Sequence, residues 1–308
     1  MRLLVVGAGS TGGYFGGRLA QAGRDVTFLV RSGRAAQLRE SGLRILSPHG
    51  NAGLQPNVVT AEAITGPYDV VLLTVKGFQL EAALDDLAPA IGPKTMILPV
   101  LNGMRHMDLL AERFSQNNLV GCALKVATVL GDDGSIVQLA PLQEIAYGEL
   151  SGELTPRMQV LDEFMKGADI GARLSSAIER EMWEKWILLA ALGAITCLMD
   201  GTVGEIEACP GGTQFALQLL DEVVAIVKAV GVPPSEAFVS TARAQLTAKG
   251  SGFASSMFRD VQSGRPIEVE SIVGDLLRRG NQAGITAPLL SAAYVYLSVY
   301  QKKVATTF

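Results

Sequence analysis

Met1-Arg-Leu-Leu-Val-Val-Gly7-Ala-Gly9-Ser-Thr-Gly12-Gly13-Tyr14 opens the chain, and its reading decides the fold. The apolar run Leu3 to Val6 reads as a buried strand. It breaks at Gly7, and a helix pattern starts near Ser10. Gly-x-Gly-x-x-Gly between a strand and a helix is the setting that dinucleotide binding needs. Gly7 allows the tight turn, Gly9 lets the backbone approach a pyrophosphate, and Gly12 lets the helix pack closely on the strand. The helix start, with Ala8, Ser10 and Thr11 between the glycines, offers free N–H groups and a partial positive charge to the phosphates. A plain strand–helix turn in an unrelated α/β protein would use the same glycines, so the rest of the chain must decide.

Asp25 to Val30 reads as the second strand. A site for NAD usually places an acid at the end of this strand to hold the ribose 2′-hydroxyl. Here Arg31-Ser-Gly-Arg34 follows, and no acid lies between Val26 and Ala36. Two guanidinium groups suit a 2′-phosphate, which they can bind bidentately. The sequence therefore favours NADP(H) over NAD(H), with ordinary solvated arginines at a helix start as the competing reading.

With 308 residues the chain is long enough for two domains. A composition 48% hydrophobic and 18% charged is that of a soluble globular protein. The net charge of −4, with no basic run, gives no reason to expect a nucleic-acid partner. Cys122, Cys197 and Cys209 lack metal or redox spacing and read as free thiols in a reducing compartment. Two histidines, His49 and His106, leave little room for a histidine-rich metal site or a serine–histidine triad. The short apolar run before Gly7 does not read as a signal peptide. Trp186 to Met199 is uncharged but too short for a membrane span. A cytoplasmic protein with no membrane partner is the expectation.

Strand and helix patterns alternate to about residue 175. Strand-like runs recur at Asp69–Val75 and Thr95–Leu101, with a helical stretch at Gln79–Leu87 between them. This predicts an α/β fold with a Rossmann-type, doubly wound parallel sheet. Gly42 to Val59 reads as a hairpin-like insertion, and Gly121–Leu130 and Ile136–Gly148 as later antiparallel strands. Beyond about residue 176 the pattern turns helical, over Ala177–Asp200, Gln214–Val230, Ser235–Lys249, Val269–Ala283 and Pro288–Lys303. The expected organisation is a dinucleotide-binding domain over 1–175 and an all-helical domain over 176–308, with the boundary near Ser175. The active site is expected in the cleft between them. The apolar helices of the second domain would serve a homodimer interface or only that domain's own core.

A hydride-transfer enzyme acting on a ketone needs a proton donor near the carbonyl oxygen and polar anchors to aim it. With histidine scarce, lysine is the natural candidate. Arg180-Glu-Met-Trp183-Glu-Lys185-Trp186 places one cation between the chain's two tryptophans. An ammonium partly desolvated there can donate to a developing alkoxide. On composition alone, the favoured reading of Glu181 and Lys185 is an exposed helix pair four residues apart.

Five motifs in order resemble the ketopantoate reductase (2-dehydropantoate 2-reductase) family over essentially the full chain. They are the glycine loop, Val71-Leu-Leu-Thr-Val-Lys76, Leu101-Asn102-Gly-Met104, Glu181-Met-Trp183-Glu-Lys185, and Ser255-Ser256-Met257-x-x-Asp260 followed by Ile267-Glu268-Val-Glu270. The resemblance implies that Lys185 is the catalytic lysine, giving its proton to the C2 oxygen. It implies that Lys76 and Asn102 contact the cofactor, with Asn102 bridging nicotinamide and substrate. Ala127 falls on a backbone contact to the cofactor, in poorly matching surroundings. Ser256 falls on a substrate-binding hydroxyl, and Glu268 on a carboxylate that positions substrate or cofactor and tunes the lysine. Ser255 and Glu270 compete with these last two. If Val269 faces the core, Glu268 and Glu270 point to different sides and are not interchangeable.

One departure matters. The family shows Lys-x-x-x-Asn-x-x-x-Asn on one helix face, which aligns two amides with the lysine. Leu189 and Gly193 stand at those positions here, while Thr196 matches the threonine that follows. Leu189 offers only apolar contact, and Gly193 is expected to open space. Each lost hydrogen bond to substrate costs about 1–3 kcal/mol. NADPH-dependent reduction of a small-molecule 2-oxo acid, ketopantoate to pantoate on the route to coenzyme A, is the leading expectation. A paralogue acting on a more apolar 2-oxo or hydroxy acid, and a non-catalytic NADPH sensor, are the alternatives.

Overall fold

The computed structural model describes residues 1–305. The strands are β1 (Arg2–Val6), β2 (Asp25–Leu29), β3 (Leu43–Leu46), β4 (Ala52–Leu54), β5 (Asn57–Val59), β6 (Val70–Leu73), β7 (Met96–Pro99), β8 (Gly121–Leu130), β9 (Ile136–Gly148) and β10 (Ala172–Leu174). The helices of the first half are α1 (Ser10–Gln21), α2 (Ser32–Ser41), α3 (Leu80–Leu87), α4 (Arg105–Arg113) and α5 (Pro156–Met165). Then follow α6 (Ile178–Leu198), α7 (Val203–Glu207), α8 (Gly212–Val230), α9 (Glu236–Leu246), α10 (Ser256–Gln262), α11 (Asp275–Gln282) and α12 (Pro288–Ala305). The backbone contacts divide the chain into two compact units, Met1–Leu101 with His106–Glu179, and Asn102–Arg105 with the chain from Arg180 onward.

In the first unit, five parallel strands run in the order β5-β2-β1-β6-β7. The runs Leu3–Val6, Val70–Leu73 and Met96–Pro99 are buried on both faces, as their continuous apolar character requires, whereas the edge strand β5 is only half-buried. A second sheet, β10-β9-β3-β4 with β8 paired to β9, forms a layer of its own. The insertion read at Gly42–Val59 is split between the two sheets. β3 and β4 form an antiparallel hairpin in the second sheet, whereas β5 returns to pair with β2.

Helix α1 lies between the two sheets, and this explains its glycines. A Cβ on Gly16 would meet the Phe28 ring at 2.7 Å in the first sheet. A Cβ on Gly13 would meet Ile136 at 2.3 Å in the second. Close approach on both sides leaves no room for side chains at either position.

The second unit is helical. Its core is built on α8, whose Leu219, Leu220, Val223, Ile226 and Val227 are buried. Gly280 of α11 packs so closely on Ile226 that a Cβ there would come within 2.8 Å. The stretch read as one helix over Val269–Ala283 contains a π turn at Glu270–Gly274 before α11 begins. Helices α7 and α10 are short, of five and seven residues, and leave no clear helical period in the sequence. Among the described residues, no helix is long and apolar enough to cross a membrane.

Candidate functional site

The glycine loop has the geometry its sequence requires. Gly7 takes φ +96°, a conformation that side chains disfavour. A Cβ on Gly12 would collide with the Gly7 carbonyl and with Thr74 Oγ1, both at 2.2 Å. Thr74 itself donates to the carbonyls of Val6 (2.8 Å) and Gly7 (3.0 Å), so the end of β6 braces the turn after β1. Gly9 is exposed, and a Cβ there would meet nothing within 4 Å. Above the start of α1 there is therefore open room, bordered by the amides of Ser10, Thr11 and Gly12, which lack intrahelical acceptors. This cradle fits a dinucleotide pyrophosphate. Ala8, beside it, is buried.

The two arginines after β2 separate in role. Arg31 is exposed at the N-cap of α2. Arg34 is half-buried, donating to the carbonyls of Ala8 (3.2 Å) and Gly134 (3.3 Å) and to Gln37. Burial pulls its pKa below the ordinary arginine value. Arg34 thus ties the glycine loop to the β8–β9 turn, whereas Arg31 stands exposed at the helix start. Lys76 is exposed just past β6, its ammonium 5.9 Å from the centre of the Phe78 ring. Ala127 sits where the β8–β9 register shifts. Val126 pairs with Gln143 and Thr128 with Gln138, leaving Ala127 outside the ladder. The extra residues of this irregularity lie on β9, where 139–142 stand opposite Ala127 alone.

Asn102, Lys185, Ser256 and Glu268 all belong to the second unit. Asn102 Nδ2 donates to Glu268 Oε2 at 3.2 Å. The following Gly103 has φ +83°, and a Cβ there would lie 2.1 Å from the Ser271 carbonyl, so the Asn-Gly turn closes tightly on the segment after Glu268. Lys185 is half-buried on α6, preceding Trp186, whose indole Nε1 donates to the Ile272 carbonyl at 2.9 Å. Trp183 and Trp186 are buried with ring centres 5.3 Å apart. Glu184 is occupied elsewhere, accepting from the backbone and hydroxyl of Ser235.

The paired candidates differ in their surroundings. Ser255 is buried as the N-cap of α10, accepting from the Phe258 amide and lying 3.2 Å from the Thr196 hydroxyl, whereas Ser256 is exposed. Val269 is buried. Glu268 accepts from Asn102, while Glu270 accepts from Tyr294 and Arg278 on its own side.

Gly193 is a correction. It does not open space: the Met257 methyl lies 2.6 Å from where its Cβ would be. The face of α6 beyond Lys185 thus carries a half-buried Leu189, then a glycine covered by a buried methionine. The roles of Thr74, Trp186 and Met257 are not legible in the sequence: Thr74 stands inside the Val71–Lys76 motif, but nothing marks it apart from its neighbours.

The sequence pattern of ketopantoate reductase PanE/ApbA matches residues 3–152, and that of the ketopantoate reductase PanE/ApbA C-terminal region matches residues 177–301. The chain belongs to the ketopantoate reductase family. Members of this family are oxidoreductases. Among its relatives, the uncharacterized oxidoreductase YkpB of Bacillus subtilis is 35% identical over 98% of this chain and 99% of its own length. The 2-dehydropantoate 2-reductase structure from Geobacter metallireducens is 26% identical, covers 97% of this chain and 99% of that one, and superposes with a TM-score of 0.86. The fold is also that of D-mandelate dehydrogenase, solved with NADH and anilino(oxo)acetate, at 18% identity, TM-score 0.86, and coverage of 99% and 100%.

Proposed function

We propose that this member of the ketopantoate reductase family reduces a 2-oxo acid with NADPH, and that 2-dehydropantoate is the leading substrate. The observation that carries the reading is the Asn102–Glu268 bond, in the same unit as Lys185. It joins an amide and a carboxylate from distant parts of the chain where the reaction needs orienting groups. When bound, the reduced nicotinamide supplies the hydride. The glycine loop and Lys76 hold the dinucleotide, Arg31 reads its 2′-phosphate, and the Ala127 peptide adds a backbone contact. Asn102 spends one amide hydrogen on Glu268 and keeps its other hydrogen and its carbonyl oxygen for ligand. Lys185 donates a proton to the C2 oxygen as negative charge develops there. Ser256, exposed at the start of α10, binds the substrate through its hydroxyl.

A second substrate reading is favoured by Leu189 and the Met257 methyl at Gly193. A face of this kind suits a hydrocarbon side chain better than one bearing a hydroxyl. NADPH oxidation with 2-dehydropantoate against a panel of bulkier, hydroxyl-free 2-oxo acids tests both. Preference for 2-dehydropantoate, with kcat/KM of about 10⁴ M⁻¹s⁻¹ or more, supports the leading substrate. Preference for a hydrocarbon side chain transfers the assignment. Tight NADPH binding with no turnover of any member would point to a sensor.

A further inference from the structure

The π turn at Glu270–Gly274 stands between Glu268 and α11. The Asp275 amide returns to the Glu270 carbonyl, five residues back, whereas the Ile272 amide returns to the Glu268 carbonyl, four back. A change from four to five inserts one extra residue and turns carbonyls out of the regular ladder, a feature often found at functional sites. Two carbonyls of the turn meet neighbours from elsewhere in the second unit. Ile272 accepts the Trp186 indole N–H in a buried bond of 2.9 Å. Ser271 faces Gly103 so closely that only a glycine fits. The residues that grip the turn are therefore the immediate neighbours of Lys185 and Asn102.

We infer that Trp186 is a positioning residue, whose indole N–H clamps the π turn and thereby holds Glu268 in register with Asn102 and with the Lys185 helix. The alternative to a π turn is an ordinary helix with one residue fewer in the turn. Each residue of an α-helix turns about 100°. Relaxation by one residue would swing Glu268 away from Asn102. A donor fixed on α6 opposes this, because relaxation would leave a buried N–H without its acceptor. The kinetic part of this inference rests on the reductase reading; the structural part does not.

Trp186→Phe keeps the apolar bulk and removes the donor. Hydrogen–deuterium exchange read by mass spectrometry is expected to quicken in residues 268–275 and in 102–104, with α8 unchanged. Trp183→Phe is the control, because the Trp183 indole N–H is buried without a hydrogen-bond partner among the described residues. It should leave exchange at 268–275 as in the wild type. Gly103→Ala, which presses a methyl on the Ser271 carbonyl, perturbs the turn from the other side and should reproduce the pattern if Trp186→Phe folds poorly. In turnover, Trp186→Phe is expected to lower kcat at least about tenfold with NADPH affinity unchanged. Combined with Asn102→Ala it should cost little more than the slower single variant, since both act through Glu268. Unchanged exchange, an equal response in Trp183→Phe, or fully additive kinetic losses would overturn the inference. The exchange pattern without turnover of any 2-oxo acid would leave the clamp standing and remove the reductase reading instead.

Discussion

Asn102 and Glu268 are 166 positions apart in the chain and are joined by a hydrogen bond of 3.2 Å. A bond from an amide to a carboxylate is charge-assisted and worth about 1.5–3 kcal/mol. Asn102→Ala should lower kcat by about ten- to a hundredfold. Asn102→Asp should be worse at neutral pH, because it sets a second carboxylate against Glu268. Steady-state kinetics of the two variants decide: equal losses would mean that the side chain only fills space.

Lys185 gives a prediction with a split readout. Lys185→Ala should lose about 10²–10⁴ in kcat, the usual worth of a positioned proton donor. NADPH affinity, measured by fluorescence titration, should stay near that of the wild type. The glycine loop, Arg31 and Lys76 belong to the other unit. Loss of NADPH binding along with turnover would show that Lys185 serves the cofactor and not the substrate oxygen.

Arg31 and Arg34 should behave differently, although they are three residues apart. Arg31→Ala removes an exposed cation and should weaken NADPH binding about tenfold or more while leaving NADH binding nearly unchanged. Arg34→Ala removes bonds to the Ala8 and Gly134 carbonyls. It should lower Tm by about a few degrees and weaken both cofactors together. An Arg34→Ala variant that discriminated between NADPH and NADH would assign the 2′-phosphate to Arg34 after all.

What the sequence could show follows from the range of the interactions involved. The glycine loop is local: strand, turn and helix lie within the first twenty-one residues, and Gly7 takes its positive φ in the turn itself. Strands β8 and β9 are long and joined by Gly131-Asp-Asp-Gly134, so their limits could be read directly. The second sheet could not, because β4 and β10 have three residues each and gain meaning only by pairing with distant strands. Gly193 reads as a gap until Met257, sixty-four positions on, is seen to fill it. The Trp186–Ile272 bond and the π turn depend on a single extra residue in a helix, which leaves no periodic trace. Lys185, Ser256 and Glu268 were found through motif resemblance, and their physical setting emerged only from the fold.

Leu189 offers a direct test of substrate choice. Leu189→Asn places an amide one turn beyond Lys185, on the same helix face. It should raise kcat/KM for 2-dehydropantoate relative to a hydrocarbon 2-oxo acid by about tenfold, the worth of one hydrogen bond to a substrate hydroxyl. Competition assays with both substrates measure the ratio. No change would mean that the side chain of residue 189 does not meet the substrate.

Glu149 supplies a pH dependence. Its carboxylate is buried and accepts from Arg157 at 2.6 and 2.5 Å and from Thr155 at 2.6 Å. The Arg157 guanidinium holds it below the ordinary glutamate value of 4.5, against the opposing effect of burial. A carboxyl whose folded pKa is depressed contributes its stability fully above the unfolded value. That contribution is lost as pH falls below about 4.5 and on through the folded pKa. Glu149→Gln cannot titrate. The Tm difference between wild type and Glu149→Gln should therefore be constant near neutrality and shrink as the pH is lowered below about 4.5. Thermal melts across that range measure it, and a gap that stayed constant into acid would show that the Glu149–Arg157 pair stabilises by shape and not by charge.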